Sequence, residues 1–80
     1  MLVEIQLFAV LKEELGETVT LDLRDPVTVD SMKEAFAQAY PQFRSAMNSL
    51  SVAVDQTYST GSQPIKPGQE VAMFPPVSGG

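Results

Sequence analysis

Val3, Ile5 and Leu7 alternate with Glu4, Gln6 and Phe8 at one end of the chain; Val71 and Met73 alternate with Ala72 and Phe74 at the other. Period-2 alternation sends successive side chains to opposite faces of a strand, so each run has one face to bury. Both runs are densely apolar and free of proline until Pro75, which suits interior strands and not edges. One arrangement that suits a chain whose first and last strands both read as interior places them side by side at the centre of one sheet.

The segments between them have to supply the flanks and the cover. Val19, Leu21 and Leu23 alternate with Thr18, Thr20 and Asp22, and the polar stretch around Gly16 and Glu17 suggests a hairpin with the first strand. After Asp25-Pro26 the period changes. Met32, Ala35, Phe36, Ala39 and Tyr40 stand at helical spacing and form one apolar stripe. Thr28, Asp30 and Ser31 are N-cap residues by type, Ser31 and Glu34 fit a capping box, and Pro41 should end the helix. Gln42 to Leu50 is irregular, with Phe43 and Met47 available to the core. SVAVD reads as a short strand, Tyr58 to Gln63 as a polar loop, and Lys66-Pro67-Gly68-Gln69 as a type II turn. The order is strand, strand, helix, strand, strand. One amphipathic helix over a mixed sheet covers every apolar face, and with the terminal strands parallel at the centre this is the β-grasp arrangement. The expected fold is α+β, a β-grasp domain over residues 1–74 with an extended C-terminal tail over 75–80.

Eighty residues make one domain, with 44% hydrophobic residues to fill its core. The chain has no cysteine and no histidine. That removes disulfides, thiolate and serine-triad chemistry, and the commonest metal ligands. The acidic residues sit at turns and on polar faces, and no phosphate-binding glycine loop is present. No catalytic site of its own, no bound cofactor and no metal are expected. The formal charge of -5 disfavours nucleic acid and anionic membranes as partners and favours a protein with a basic patch. With no apolar stretch long enough to span a bilayer, a cytoplasmic location is expected.

The reactive feature is then the ending, FPPVSGG. Pro75 and Pro76 cannot extend a ladder, so the chain should leave the sheet in a stiff, polyproline-like form. Val77 and Ser78 lead to Gly79 and Gly80, whose missing Cβ lets backbone pass a channel too narrow for any side chain. A carboxylate at Gly80 can attack the α-phosphorus of ATP, giving an acyl-adenylate open to sulfur, nitrogen or oxygen nucleophiles.

LFAVLKEELG near the start, and VAVDQTYS followed by PIKPGQEVAMFPPVSGG, resemble the small, sulfur-carrying subunits of molybdopterin synthase, which are ubiquitin-like β-grasp proteins. The resemblance runs along nearly the whole chain and is weakest from Tyr40 to Ser51. Met73 stands where an aromatic residue is common. The resemblance implies that Gly80 is adenylated by a ubiquitin-activating-type adenylyltransferase, which uses ATP. A sulfur donor protein carrying a persulfide then supplies the sulfur of a C-terminal thiocarboxylate. The tail inserts into the large synthase subunit, usually in a heterotetramer, and donates sulfur to cyclic pyranopterin monophosphate. Phe74 and Phe8 are the expected docking residues, Val77 packs in the tunnel mouth, and Ser78 is a small spacer. Three alternatives stand beside this reading: a thiamine-pathway sulfur carrier, a ubiquitin-like modifier of protein lysines, and a plain interaction domain.

Overall fold

The computed structural model describes residues 1–75. Five strands form one mixed sheet: β1 (Leu2–Leu7), β2 (Thr18–Asp22), β3 (Ser51–Val54), β4 (Thr57–Ser59) and β5 (Val71–Phe74). Their spatial order is β2-β1-β5-β3-β4. The two central strands run parallel, pairing Ile5 with Val71 and Leu7 with Met73, and every other pair is antiparallel. This is the expected β-grasp topology, with both terminal strands interior and adjacent.

Helix α2 (Val29–Ala39) crosses one face of this sheet. Met32 and Phe36 are fully buried in one cluster with Ile5, Val52, Val54, Val71 and Met73. Burial of each such side chain contributes about 1.5–3 kcal/mol, so this cluster fixes which sheet face is covered. The stripe is rotated slightly from the sequence expectation: Ala37 is buried, while Ala39 faces solvent. Thr28 is the N-cap, and its capping box is closed by Ser31, not by Ser31 with Glu34. The Ser31 N–H donates to Thr28 Oγ1 at 3.1 Å, and the Thr28 N–H donates to Ser31 Oγ at 2.9 Å. Two donors that the helix ladder leaves unmet are thereby satisfied. Glu34 points elsewhere, to Arg44.

Pro41 ends α2 as expected, but Pro41–Ser49 is not irregular; it winds as a 3-10 helix that buries Phe43. The link between β1 and β2 differs more. A short helix, α1 (Val10–Leu15), replaces a plain hairpin loop and sets Leu11 into the core. Gly16 closes it at φ 96°, with its N–H donating to the Lys12 carbonyl at 2.9 Å. A left-handed backbone is cheap there because glycine has no Cβ. The turn before β5 follows its chemistry. Gly68 has φ 86°, and the Gln69 N–H donates to the Lys66 carbonyl at 3.2 Å. Among the described residues, no helix is long and apolar enough to cross a membrane.

Candidate functional site

Because β1 and β5 are parallel and paired in register through Leu7 and Met73, they end side by side at one edge of the sheet. The next residues, Phe8 and Phe74, therefore meet. Their rings stack with centroids 4.7 Å apart and planes inclined by 19°. Met73 is in the core, so alternation turns Phe74 to the face away from α2. Pro75 follows directly, which places the exit of the chain beside the ring pair.

A third aromatic joins them. The registers set Gln6, Ala72, Ala53 and Tyr58 in one row across β1, β5, β3 and β4. Tyr58 stands 75% exposed with its ring 6.1 Å from that of Phe74, tilted by 59°. Ala72 and Ala53 lie between the tall side chains, and Ala53 is only 7% exposed. Small residues flanked by rings make a groove of about 290 Å³ on the outer face. Exposed aromatic surface of this kind is what binding surfaces offer, since a ring buries much area while losing few torsional freedoms.

Tyr58 is the site residue that the sequence reading misses by assigning 58–63 to a loop. It belongs to β4, held by a two-residue turn at Asp55 and Gln56, whose φ values are 50° and 67°. Such turns ordinarily signal themselves by Asn-Gly or Asp-Gly, and Asp-Gln carries the aspartate without the glycine. The only available signal was the alternation of Tyr58 with Thr57 and Ser59.

One step along the sheet from this row the surface becomes acidic. Glu4, Asp55 and Glu70 are all exposed. The Asp55 carboxylate accepts from the Glu70 N–H at 2.9 Å and from Gln69 Nε2 at 3.0 Å, which ties the β3–β4 turn to the start of β5. Among the described residues, no ion pair involves Glu4 or Glu70. The carboxyl group that is held below its ordinary range lies far from this face. It is Glu34, on α2, lowered by a hydrogen bond and by the charge of Arg44, whose Nη2 donates at 2.9 Å. Among the described residues no group of three or more Asp or Glu side chains could hold a metal ion.

Of the residues expected to act, Phe8, Phe74 and Pro75 thus lie together at one edge. Pro76, Val77, Ser78, Gly79 and Gly80 lie outside the described residues.

Residues 5–80 match the ThiS family. The chain is 32% identical to the molybdopterin synthase sulfur carrier subunit of Escherichia coli, covering 99% of this chain and 100% of that protein. It is 37% identical to the subunit of the same name from Dictyostelium discoideum, covering 96% of this chain and 94% of that protein. Among solved structures, small archaeal modifier protein 1 of Haloferax volcanii superposes with a TM-score of 0.81 at 28% identity, covering 95% and 98% of the two chains. With the family matched over 5–80 and the relatives similar from end to end, the chain belongs to the ThiS family and is similar along its whole length to the molybdopterin synthase sulfur carrier subunits.

Proposed function

We propose that this protein is the sulfur-carrier subunit of molybdopterin synthase, with Gly80 as the group that is loaded and unloaded. The observation that carries the reading is the aromatic edge of Phe8 and Phe74 next to Pro75, in a chain similar throughout to proteins of that name. A carrier needs a surface by which a second protein grips it and a reactive end that starts beside that surface. The chain supplies the grip, and the activating and accepting enzymes supply the catalytic groups.

The chemistry follows from the carboxyl end. An oxygen of the Gly80 carboxylate attacks the α-phosphorus of ATP within an adenylyltransferase, expelling pyrophosphate. The outer sulfur of the donor protein's persulfide displaces AMP to give an acyl disulfide. A second thiol then cleaves the S–S bond, forming a disulfide with the donor cysteine and releasing the end as a thiocarboxylate. Sulfur is a better nucleophile than the oxygen it replaces. Within the large subunit it attacks the pterin precursor, cyclic pyranopterin monophosphate, displacing an oxygen substituent. Water then cleaves the resulting thioester, leaving the sulfur on the pterin and restoring the Gly80 carboxylate. That substrate is anionic and needs cations around it, which a chain of net charge -5 leaves to its partner. Gly79 and Gly80 suit passage through a tunnel too tight for a Cβ. In this reading the chain is the donating half of a two-protein sulfurtransferase.

Reconstituted molybdopterin synthesis with a chain lacking Gly79 and Gly80 tests the proposal; synthesis that continues would refute it. Protein isolated from its native cell should also contain a form heavier by about 16 Da, oxygen exchanged for sulfur at the acyl end.

A second reading has a specific observation in its favour, the likeness to the Haloferax volcanii modifier protein. The same acyl-adenylate passed to a lysine amine would give an isopeptide bond. Gly-Gly remnants on lysines of other proteins, absent when Gly80 is deleted, are its signature.

A further inference from the structure

We propose that the groove between Tyr58 and Phe74 is a socket for an arginine side chain of the large synthase subunit, with Glu70 as its counter-charge. The proposal rests on the carrier reading for the identity of the partner, but the socket itself is argued from its walls. Two rings, the exposed Tyr58 and the half-buried Phe74, face a floor of Ala53 and Ala72. That shape accepts a flat group lying against an aromatic face. Glu70 lines the same groove and forms no ion pair among the described residues. Its position is fixed from both sides: Asp55 N–H donates to the Glu70 carbonyl at 2.8 Å, and Glu70 N–H donates to Asp55 Oδ1 at 2.9 Å. The Gln56 side chain, also at the groove, offers an amide oxygen as a further acceptor.

These features select among occupants. A purely aliphatic side chain would fill the floor but leave Glu70 desolvated and unpaired, which is costly. An ammonium would satisfy the charge but present no plane to the rings. A guanidinium does both: it stacks on an aromatic face and donates two parallel hydrogen bonds to one carboxylate. No lysine or arginine of this chain lines the groove, so the cation must come from outside. The net charge of -5 favours the approach of such a partner.

Two measurements test the socket. In the first, the isotopically labelled chain is titrated with N-acetyl-arginine methylamide, its lysine counterpart and its citrulline counterpart, and amide shifts are followed by NMR. The arginine probe should move Ala53, Tyr58, Ala72 and Phe74 more than the lysine probe, and the uncharged citrulline probe should move them least. Equal responses to arginine and citrulline would overturn the proposal. In the second, calorimetry gives the affinity of the complete chain for the large subunit. E70Q should weaken binding about tenfold, the scale of a lost bidentate charge-assisted contact. E14Q, which removes the same charge on helix α1, should change it by less than about twofold. Y58F should bind nearly as the parent, and Y58L several-fold more weakly. If E70Q and E14Q behave alike, the socket is wrong. The probe titration, repeated on the chain without Gly79 and Gly80, separates the two proposals. Arginine-selective shifts there uphold the socket even if the carrier reading fails, and their absence refutes the socket alone.

Discussion

The stacked pair Phe8 and Phe74 should be coupled both in folding and in docking, and a double-mutant cycle measures each coupling. Phe74 is partly buried and Phe8 is 40% exposed, so neither substitution to alanine opens a closed cavity. Complete removal of a core phenylalanine costs about 3–5 kcal/mol. With a good share of each ring already in water, F74A should cost about 1–2 kcal/mol and F8A about 1 kcal/mol. The rings lie 4.7 Å apart and inclined by 19°, within the range of offset stacking. Such pairs add about 0.5–1.5 kcal/mol beyond their buried area. The double variant should therefore be less destabilised than the two single losses added together, by about that amount. Urea unfolding of the four proteins, followed by circular dichroism, provides the comparison. Additivity within about 0.3 kcal/mol would refute the stacking as an energetic contact. The same four proteins then address docking. Under conditions where all are folded, F74A should weaken binding to the large subunit about thirtyfold, as loss of a central aromatic anchor does. A change below about threefold would place the docking face elsewhere, even if the stacking were confirmed.

Leu11→Ala removes the one core residue of α1 and should destabilise the fold by about 2–5 kcal/mol, which thermal unfolding would show as a large drop in midpoint. Gln56 holds φ 67° in the β3–β4 turn, so Gln56→Gly should stabilise by about 0.5–1 kcal/mol in urea titrations, because relief of left-handed strain outweighs the added entropy of the unfolded glycine. Arg44→Ala should raise the Glu34 carboxyl towards its ordinary range, read by NMR titration of the side chain. Since the folded value is depressed, the pair stabilises fully above the unfolded value and loses its effect as pH falls through the folded one. The stability gap between the parent and Arg44→Ala should accordingly close on acidification.

What the sequence disclosed depended on how far each local rule was obeyed. Val3, Ile5 and Leu7 announce β1 because one face is wholly buried and the other is not, and the same holds for Val71 and Met73. Pro67-Gly68 announces its turn because the turn requires those backbone angles. Helix α1 is hidden because six residues with one buried side chain show no period; what makes Val10–Leu15 helical is the docking of Leu11. Strand β4 is hidden for a different reason. Its turn is specified by tertiary contacts, with Asp55 bound to Gln69 and Glu70 from the far side of the hairpin. No window of local sequence contains those partners. Tyr58 is hidden with its strand, so the two site aromatics at strand ends are legible in the sequence and the third, on edge strand β4, is not. Thr28 and Ser31 show a lesser ambiguity: three possible caps stand within four residues, and geometry selects one.

The position of Phe74 also limits how partners can share this chain. Pro75 to Gly80 is six residues, and six extended residues reach about 20 Å at most. Any protein that holds the Gly80 carboxyl in its active site must therefore sit within that distance of the edge where β1 and β5 end. The adenylyltransferase and the large subunit both have to do so under the proposed function, and both must then crowd the same place, where β1 and β5 end together. Their binding should be mutually exclusive even though they act on different chemical states of the same end. Adding the adenylyltransferase should raise the apparent dissociation constant for the large subunit linearly with the free adenylyltransferase concentration, without a plateau, as simple competition requires. F74A should weaken both complexes. A ternary complex of all three proteins, seen by sedimentation, would show that the two partners grip different surfaces. The aromatic edge could then be the docking site of no more than one of them.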